Sequence, residues 1–327
     1  MATGILAIAS RVAGIDPLSI ALFAIAAAAY VLLSGIGAAR LLRASQPVWA
    51  WLRSSEVGFG SFTFVAASGV LGEWLAGEGK LTSDIAMGLW AVTATSWLVL
   101  CAGFASGLVH RGSTEGRFLL AGAPFLTVVA TQSLAALSVV LADRWHGDAL
   151  ALATFCAWLL GIGVYLVLVG RLALRLVQRP AAAWRPSPDI WIVMGALAIT
   201  TLAGTDLASP LRGVGLPSWM HSVTVGLTAS CWAAATLLVP SLIGAELWRA
   251  TRTGPALGYD ARRWSTVFPL GMYATASYRL GHLAGLAGPR LLGEVFLVVA
   301  LAAWALVTLQ LSQRGIRRGR PRVASGL

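Results

Sequence analysis

Charge is what this 327-residue chain has least of: Asp, Glu, Lys and Arg make up 11% of it, against 57% hydrophobic residues and a mean hydropathy of +0.78. A water-soluble domain carries about a quarter charged residues, so a cytosolic enzyme is excluded. Cysteine is scarce as well. Cys101, Cys156 and Cys231 each sit alone inside an apolar stretch, without the spacing of a zinc site or a redox pair, and read as small packing residues. The histidines never pair at i, i+4, and there is no Gly-rich phosphate loop or dinucleotide fingerprint. The expectation is a protein without metal, cofactor or catalytic site, and not an ATP-driven pump acting alone. Acidic residues are half as common as basic ones, 13 against 24, for a net charge of +11. The basic residues lie in short clusters between apolar stretches and form no continuous aromatic-studded surface, so they signal membrane topology and no nucleic-acid partner.

What is present is a series of apolar runs long enough to span a bilayer as helices. Charges, Pro and Gly divide the chain into ten segments at about 1–15, 18–39, 57–76, 84–107, 117–141, 149–172, 189–207, 219–245, 264–285 and 291–312. The fold class expected is an all-α polytopic membrane protein. Residues 1–312 form one transmembrane domain and 313–327 a basic cytoplasmic tail. The first segment has only about 15 apolar residues before Asp16-Pro17, short for a span of about 20, and reads as a helix truncated at its N-terminal end.

Most of the 24 basic residues fall on one side of this layout, from Arg40 and Arg43 through Arg171, Arg175, Arg249, Arg252, Arg262 and Arg263 to Arg314–Arg322. The opposite loops hold only Arg11, Lys80, Arg144, Arg212, Arg279 and Arg290, with most of the acids, Glu73, Glu78 and Asp206 among them. Both termini are therefore expected in the cytoplasm of an inner-membrane protein. Tryptophans near span ends, including Trp49, Trp51, Trp74, Trp145, Trp184, Trp191, Trp219, Trp248 and Trp264, read as an interfacial belt, and the Arg-rich tail as an anchor at anionic lipid. Glu56, Asp189, Glu246 and Glu294 near span ends are expected to cap, pair or meet solvent.

Alternate spans differ in character. Even-numbered ones are dominated by Ala, Leu, Val and Ile, whereas odd ones carry small and hydroxyl residues near their centres: Thr3-Gly4, Ser68-Gly69, Thr131-Gln132-Ser133, Thr200-Thr201, and Gly271 with Thr275-Ala276-Ser277. ATGILAIAS from Ala2 matches ATQSLAALS from Ala130 at five of nine positions, and these marks recur about every 65 residues. Five helical hairpins in a quasi-five-fold ring follow, odd helices inside around a central pore, even helices outside. No charged residue lies mid-span in an odd helix, which points to a passive conduit or gated channel lined by Thr3, Ser68, Thr131, Thr201, Gly271 and Thr275.

Two stretches, Pro188-Asp189-Ile-Trp191 running on to Gly204 and Trp264-Ser-Thr-Val-Phe268-Pro269-Leu-Gly271, resemble the tellurite-resistance/C4-dicarboxylate transporter family, which includes the plant slow anion channels. Met1–Leu6, Phe62–Ala66 and Glu246 with Trp248-Arg249 extend the likeness over essentially the whole chain. The resemblance implies ten helices in five hairpins, a homotrimer with one pore per subunit, and a pore plugged by Phe268 where Pro269 disturbs its helix. The first helix departs from the family in lacking its N-terminal half, and the long regulatory tails of the plant channels are absent from this sequence. The function expected is an anion channel or transporter whose partners are small inorganic anions or a C4 dicarboxylate, and membrane lipid. The alternative is a proton-coupled exporter of sulfite or tellurite-related oxyanions, using an end-of-span acid such as Glu56.

Overall fold

The computed structural model describes residues 1–43, 55–111, 122–145, 148–178, 187–208, 217–253 and 259–319. Every apolar run in them is helical: α1 Ala2–Val12, α2 Asp16–Arg43, α3 Ser55–Ala76, α4 Lys80–Arg111, α5 Leu126–Trp145, α6 Asp148–Gln178, α7 Trp191–Ala208, α8 Ser218–Thr253, α9 Trp264–Ala284 and α10 Ala287–Gly319. One-turn 3-10 segments, Ala123–Phe125, Pro188–Ile190 and Ala261–Arg263, lead into α5, α7 and α9. The chain is thus an all-α polytopic membrane protein.

Local chemistry sets the hairpins. Asp16 and Pro17 occupy the first turn of α2, where an acid meets the positive helix end and a missing N–H costs nothing. After α9 the chain turns on Gly285, left-handed at φ 67°, while Leu286 N–H donates to Gly281 O at 2.9 Å; this is the capping geometry that favours glycine. Such tight links make α1 and α2, and α9 and α10, antiparallel, and α3, α7 and α9 run the same way, since Glu73, Asp206 and Arg279 near their C-terminal ends meet.

The odd helices form the inside. α3 packs on α5, α5 on α7, α7 on α9, α9 on α1, and α1 back on α3, closing a ring of five. Each even helix covers the outside, packing on the helix before it and on the next inner one, with α10 returning to α1. Burial separates the two shells: the most apolar window of α7 is 89% buried, that of α2 only 11%. The outer faces carry exposed Val31, Leu33, Val167, Leu237 and Val298, as a lipid-facing surface must.

Eight of the described helices are long and apolar enough to cross a membrane; α1, at 11 residues, and α9 are not among them. For α9 the reason is composition: packed among α1, α7, α8 and α10 and largely buried, it carries Tyr273, Ser277 and Arg279. The outer helices overrun their expected limits, α4 starting at Lys80 and α8 reaching Thr253, because Arg and Lys continue a helix readily. Residues 313–319 of the expected basic tail continue α10; residues 320–327 lie outside the described residues, as do Trp49, Trp51, Trp184 and Arg212.

Candidate functional site

Glycine sets the closeness of the ring. A Cβ on Gly4 of α1 would come 3.1 Å from Val70, on Gly69 of α3 2.9 Å from Ser133, on Gly195 of α7 2.9 Å from the Pro269 ring, and on Gly271 of α9 3.0 Å from Ile5. Four of the five inner seams therefore hold a glycine at a close approach of two helices, tightest at Gly69 and Gly195.

Phe268, 1% exposed, begins this packed stretch of α9, and Pro269 behind it removes the N–H that would bond one turn back. With 3.6 residues per turn, Phe268, Thr275 and Arg279 share one face of α9. Thr275 and Thr201 are fully buried and use their hydroxyls within their own helices, donating to Gly271 O and Leu197 O.

The remaining expected lining residues are turned toward the outer shell. Thr3 Oγ1 accepts from Trp304 Nε1 of α10 at 3.0 Å, Ser68 Oγ bonds Tyr30 of α2 at 2.8 Å, and Thr131 Oγ1 accepts from Trp97 Nε1 of α4 at 2.8 Å. Two further links complete a pattern that sequence reasoning missed. Trp158 Nε1 of α6 donates to Thr200 O on α7, and Trp232 Nε1 of α8 donates to Ser277 Oγ on α9, both at 2.9 Å. Each outer helix thus places at least one aromatic donor on the inner helix that follows it around the ring, and α4 places a second, Trp90 on Ser138. The spacing of the other five aromatics, close to one hairpin apart, was the available signal.

The charges also sit differently from the loop placement expected of them. Glu73, Asp206 and Arg279 lie inside α3, α7 and α9, where Arg279 pairs with Asp206 and, at 3.1 Å, with Glu73. Arg11, in the last turn of α1, donates to Trp74 O at 2.8 Å, meets Glu78 at 2.5 Å and covers the Trp74 ring. Burial of charge is tolerated here because each charge is paired. Trp74 and Trp191 are buried and no part of an interfacial belt: Trp74 stacks on Phe23 and donates to Ser19. Trp219 and Trp248 are exposed near helix ends, as expected. Cys156 faces outward, so packing describes Cys231 better.

Among the end-of-span acids, Asp189 accepts from Gly122 N–H at 2.9 Å, tying the entries of α7 and α5, and Glu246 pairs with Arg249. The side chain of Glu56 lies outside the described residues. Asp260 caps the 3-10 segment before α9 by accepting from Arg262 N–H, and the Arg262 guanidinium holds its carboxyl below the usual aspartate range.

Two curated relatives, uncharacterized membrane proteins from the CDC 1551 and H37Rv strains of Mycobacterium tuberculosis, are each 39% identical over 145 residues, covering 43% of this chain and 71% of theirs. A family model, the SLAC1 voltage-dependent anion channel, matches residues 1–311. The ten helices of the described residues, in a closed ring of five pairs, and a match over nearly the whole length agree: the chain belongs to the SLAC1 family of voltage-dependent anion channels and is a multi-pass membrane protein of anion transport.

Proposed function

We propose that this protein is a passive conduit for small anions, from halide and nitrate to a C4 dicarboxylate such as malate, running along the axis of the inner ring and gated by Phe268. The observation that carries the reading is the ring of five parallel inner helices with Phe268 buried at the end where they begin. Parallel helices present their N-termini together, each equivalent to roughly half a positive charge, so that end favours anions over cations. The aromatic ring beside Pro269 supplies a hydrophobic closure that an ion crosses only when the ring moves.

The path itself lies along the face of α9 that carries Phe268 and Thr275, with Pro269 and Gly271 in the seams to α7 and α1 on either side of it. Because Thr3, Ser68 and Thr131 are bonded outward, the wall offers few hydroxyls, and passage depends on the cost of dehydrating the anion. The protein sits in the inner membrane with both termini cytoplasmic, 1–312 as its transmembrane unit, its outer helices in lipid and its subunits in a trimer.

The experiment is chloride or malate flux from liposomes under a set gradient, for wild type and Phe268→Ala. Faster flux in the variant supports the gate; equal flux from correctly folded protein rejects it. Uphill uptake driven by a pH gradient would favour the coupled oxyanion exporter instead.

A further inference from the structure

The Glu73–Arg279 pair joins helices that are not neighbours. Around the ring the order is α3, α1, α9, α7, so α1 stands between the helix of Glu73 and the helix of Arg279. At this level α1 is present: its Arg11 reaches Trp74 O, the residue after Glu73. The bridge therefore passes inside α1, across the ring's interior. Its third member comes from the other flank, since Asp206 on α7 takes the second arm of the same guanidinium.

Helical phase agrees. Arg279 shares a face of α9 with Phe268, eleven residues or about 16 Å earlier. Glu73 shares a face of α3 with Phe62 and Ala66, while Ser68 lies on the opposite side against Tyr30. Asp206 shares a face of α7 with Gly195, which meets Pro269. Glu73 and Asp206 are mostly buried, and a quarter of the Arg279 side chain is exposed.

We infer that Glu73, Asp206 and Arg279 form a second, ionic constriction across the inner ring, in series with Phe268 and closing the end where the inner helices finish. This rests on the reading of the ring as an anion path. Two carboxyl groups occupy both arms of the one guanidinium, so the bridge fills a narrow, weakly polar place and leaves no free positive charge for an anion to meet there. Breaking the link to α3 opens the passage, and it also frees one arm of Arg279, which then contacts the passing anion. Phe268 and the ionic bridge are thus two closures of different chemistry about 16 Å apart, and removal of the phenyl ring leaves the second one shut.

Two measurements test this. In liposomes, chloride flux is compared for Phe268→Ala and for Phe268→Ala combined with Glu73→Ala, which removes the acceptor; Glu73→Leu serves where the alanine variant elutes as aggregate. The double variant is expected to be roughly ten-fold faster. Independently of transport, Thr275→Cys is made in protein whose Cys101, Cys156 and Cys231 are replaced by serine, and an anionic, membrane-impermeant thiol reagent is added from the side where the inner helices end. Glu73→Ala is expected to speed its reaction by a similar factor. Equal rates with and without the Glu73 substitution, in folded protein, overturn the constriction. If no variant passes chloride, the anion reading falls and the thiol reaction decides the closure alone.

Discussion

Trp304 on α10 donates its indole N–H to the hydroxyl of Thr3 on α1, a 3.0 Å bond between residues 301 positions apart, and so ties the last helix to the first. The same kind of bond recurs at the other outer-to-inner steps, through Tyr30, Trp97, Trp158 and Trp232. Inside a membrane, a hydroxyl left without a partner is costly, and an amphipathic aromatic on the neighbouring helix satisfies it without breaking the apolar packing.

Trp304→Phe keeps the ring's bulk and removes the donor. It is expected to lower stability by about 1 kcal/mol, as a detergent melting experiment would read, and Thr3→Val by a similar amount. The double variant should lose little more than either single one, because both remove the same bond. Additive losses would show that the bond contributes nothing of its own.

Gly195 offers a sharper contrast. Gly195→Ala drives a Cβ into the Pro269 ring and should cost about 1 to 3 kcal/mol, with altered anion flux because the strained partner is the helix of Phe268. Gly226→Ala on α8, where nothing lies within 4 Å, should be neutral or slightly stabilising. Similar melting temperatures for the two would contradict the seam.

Much of the fold was legible because hydropathy and charge punctuation report directly on lipid and loops. The odd-even contrast at Gly4, Ser68-Gly69 and Gly271 likewise reports on how closely helices approach. The direction of each hydroxyl was not legible. An inner helix buried all round has no apolar stripe to set its rotation, so Thr3, Ser68 and Thr131 fit an inward or an outward phase equally well by sequence. Their partners are aromatic residues on helices distant in sequence. The triad escaped notice for another reason: Glu73, Asp206 and Arg279 lie within five residues of helix ends, where a sequence boundary shifts easily between helix and loop.

Asp260 anchors the entry to α9, and its carboxylate is the form that accepts from Arg262. Since pairing lowers its pKa in the folded protein, its contribution is present above the ordinary aspartate value of about 4 and is lost only as pH falls through the lower folded value. The stability difference between wild type and Asp260→Ala, under about 1 kcal/mol for so exposed a pair, should be constant from about pH 7 to 5 and shrink below about pH 4. A difference that vanishes already between pH 7 and 5 would contradict the pairing.

The most direct test of the gated anion path is the current carried by Phe268→Ala in a planar bilayer under a chloride gradient. The account predicts a conductance well above wild type that reverses near the chloride equilibrium potential. A current reversing near the cation potential, or none from folded protein, would contradict it.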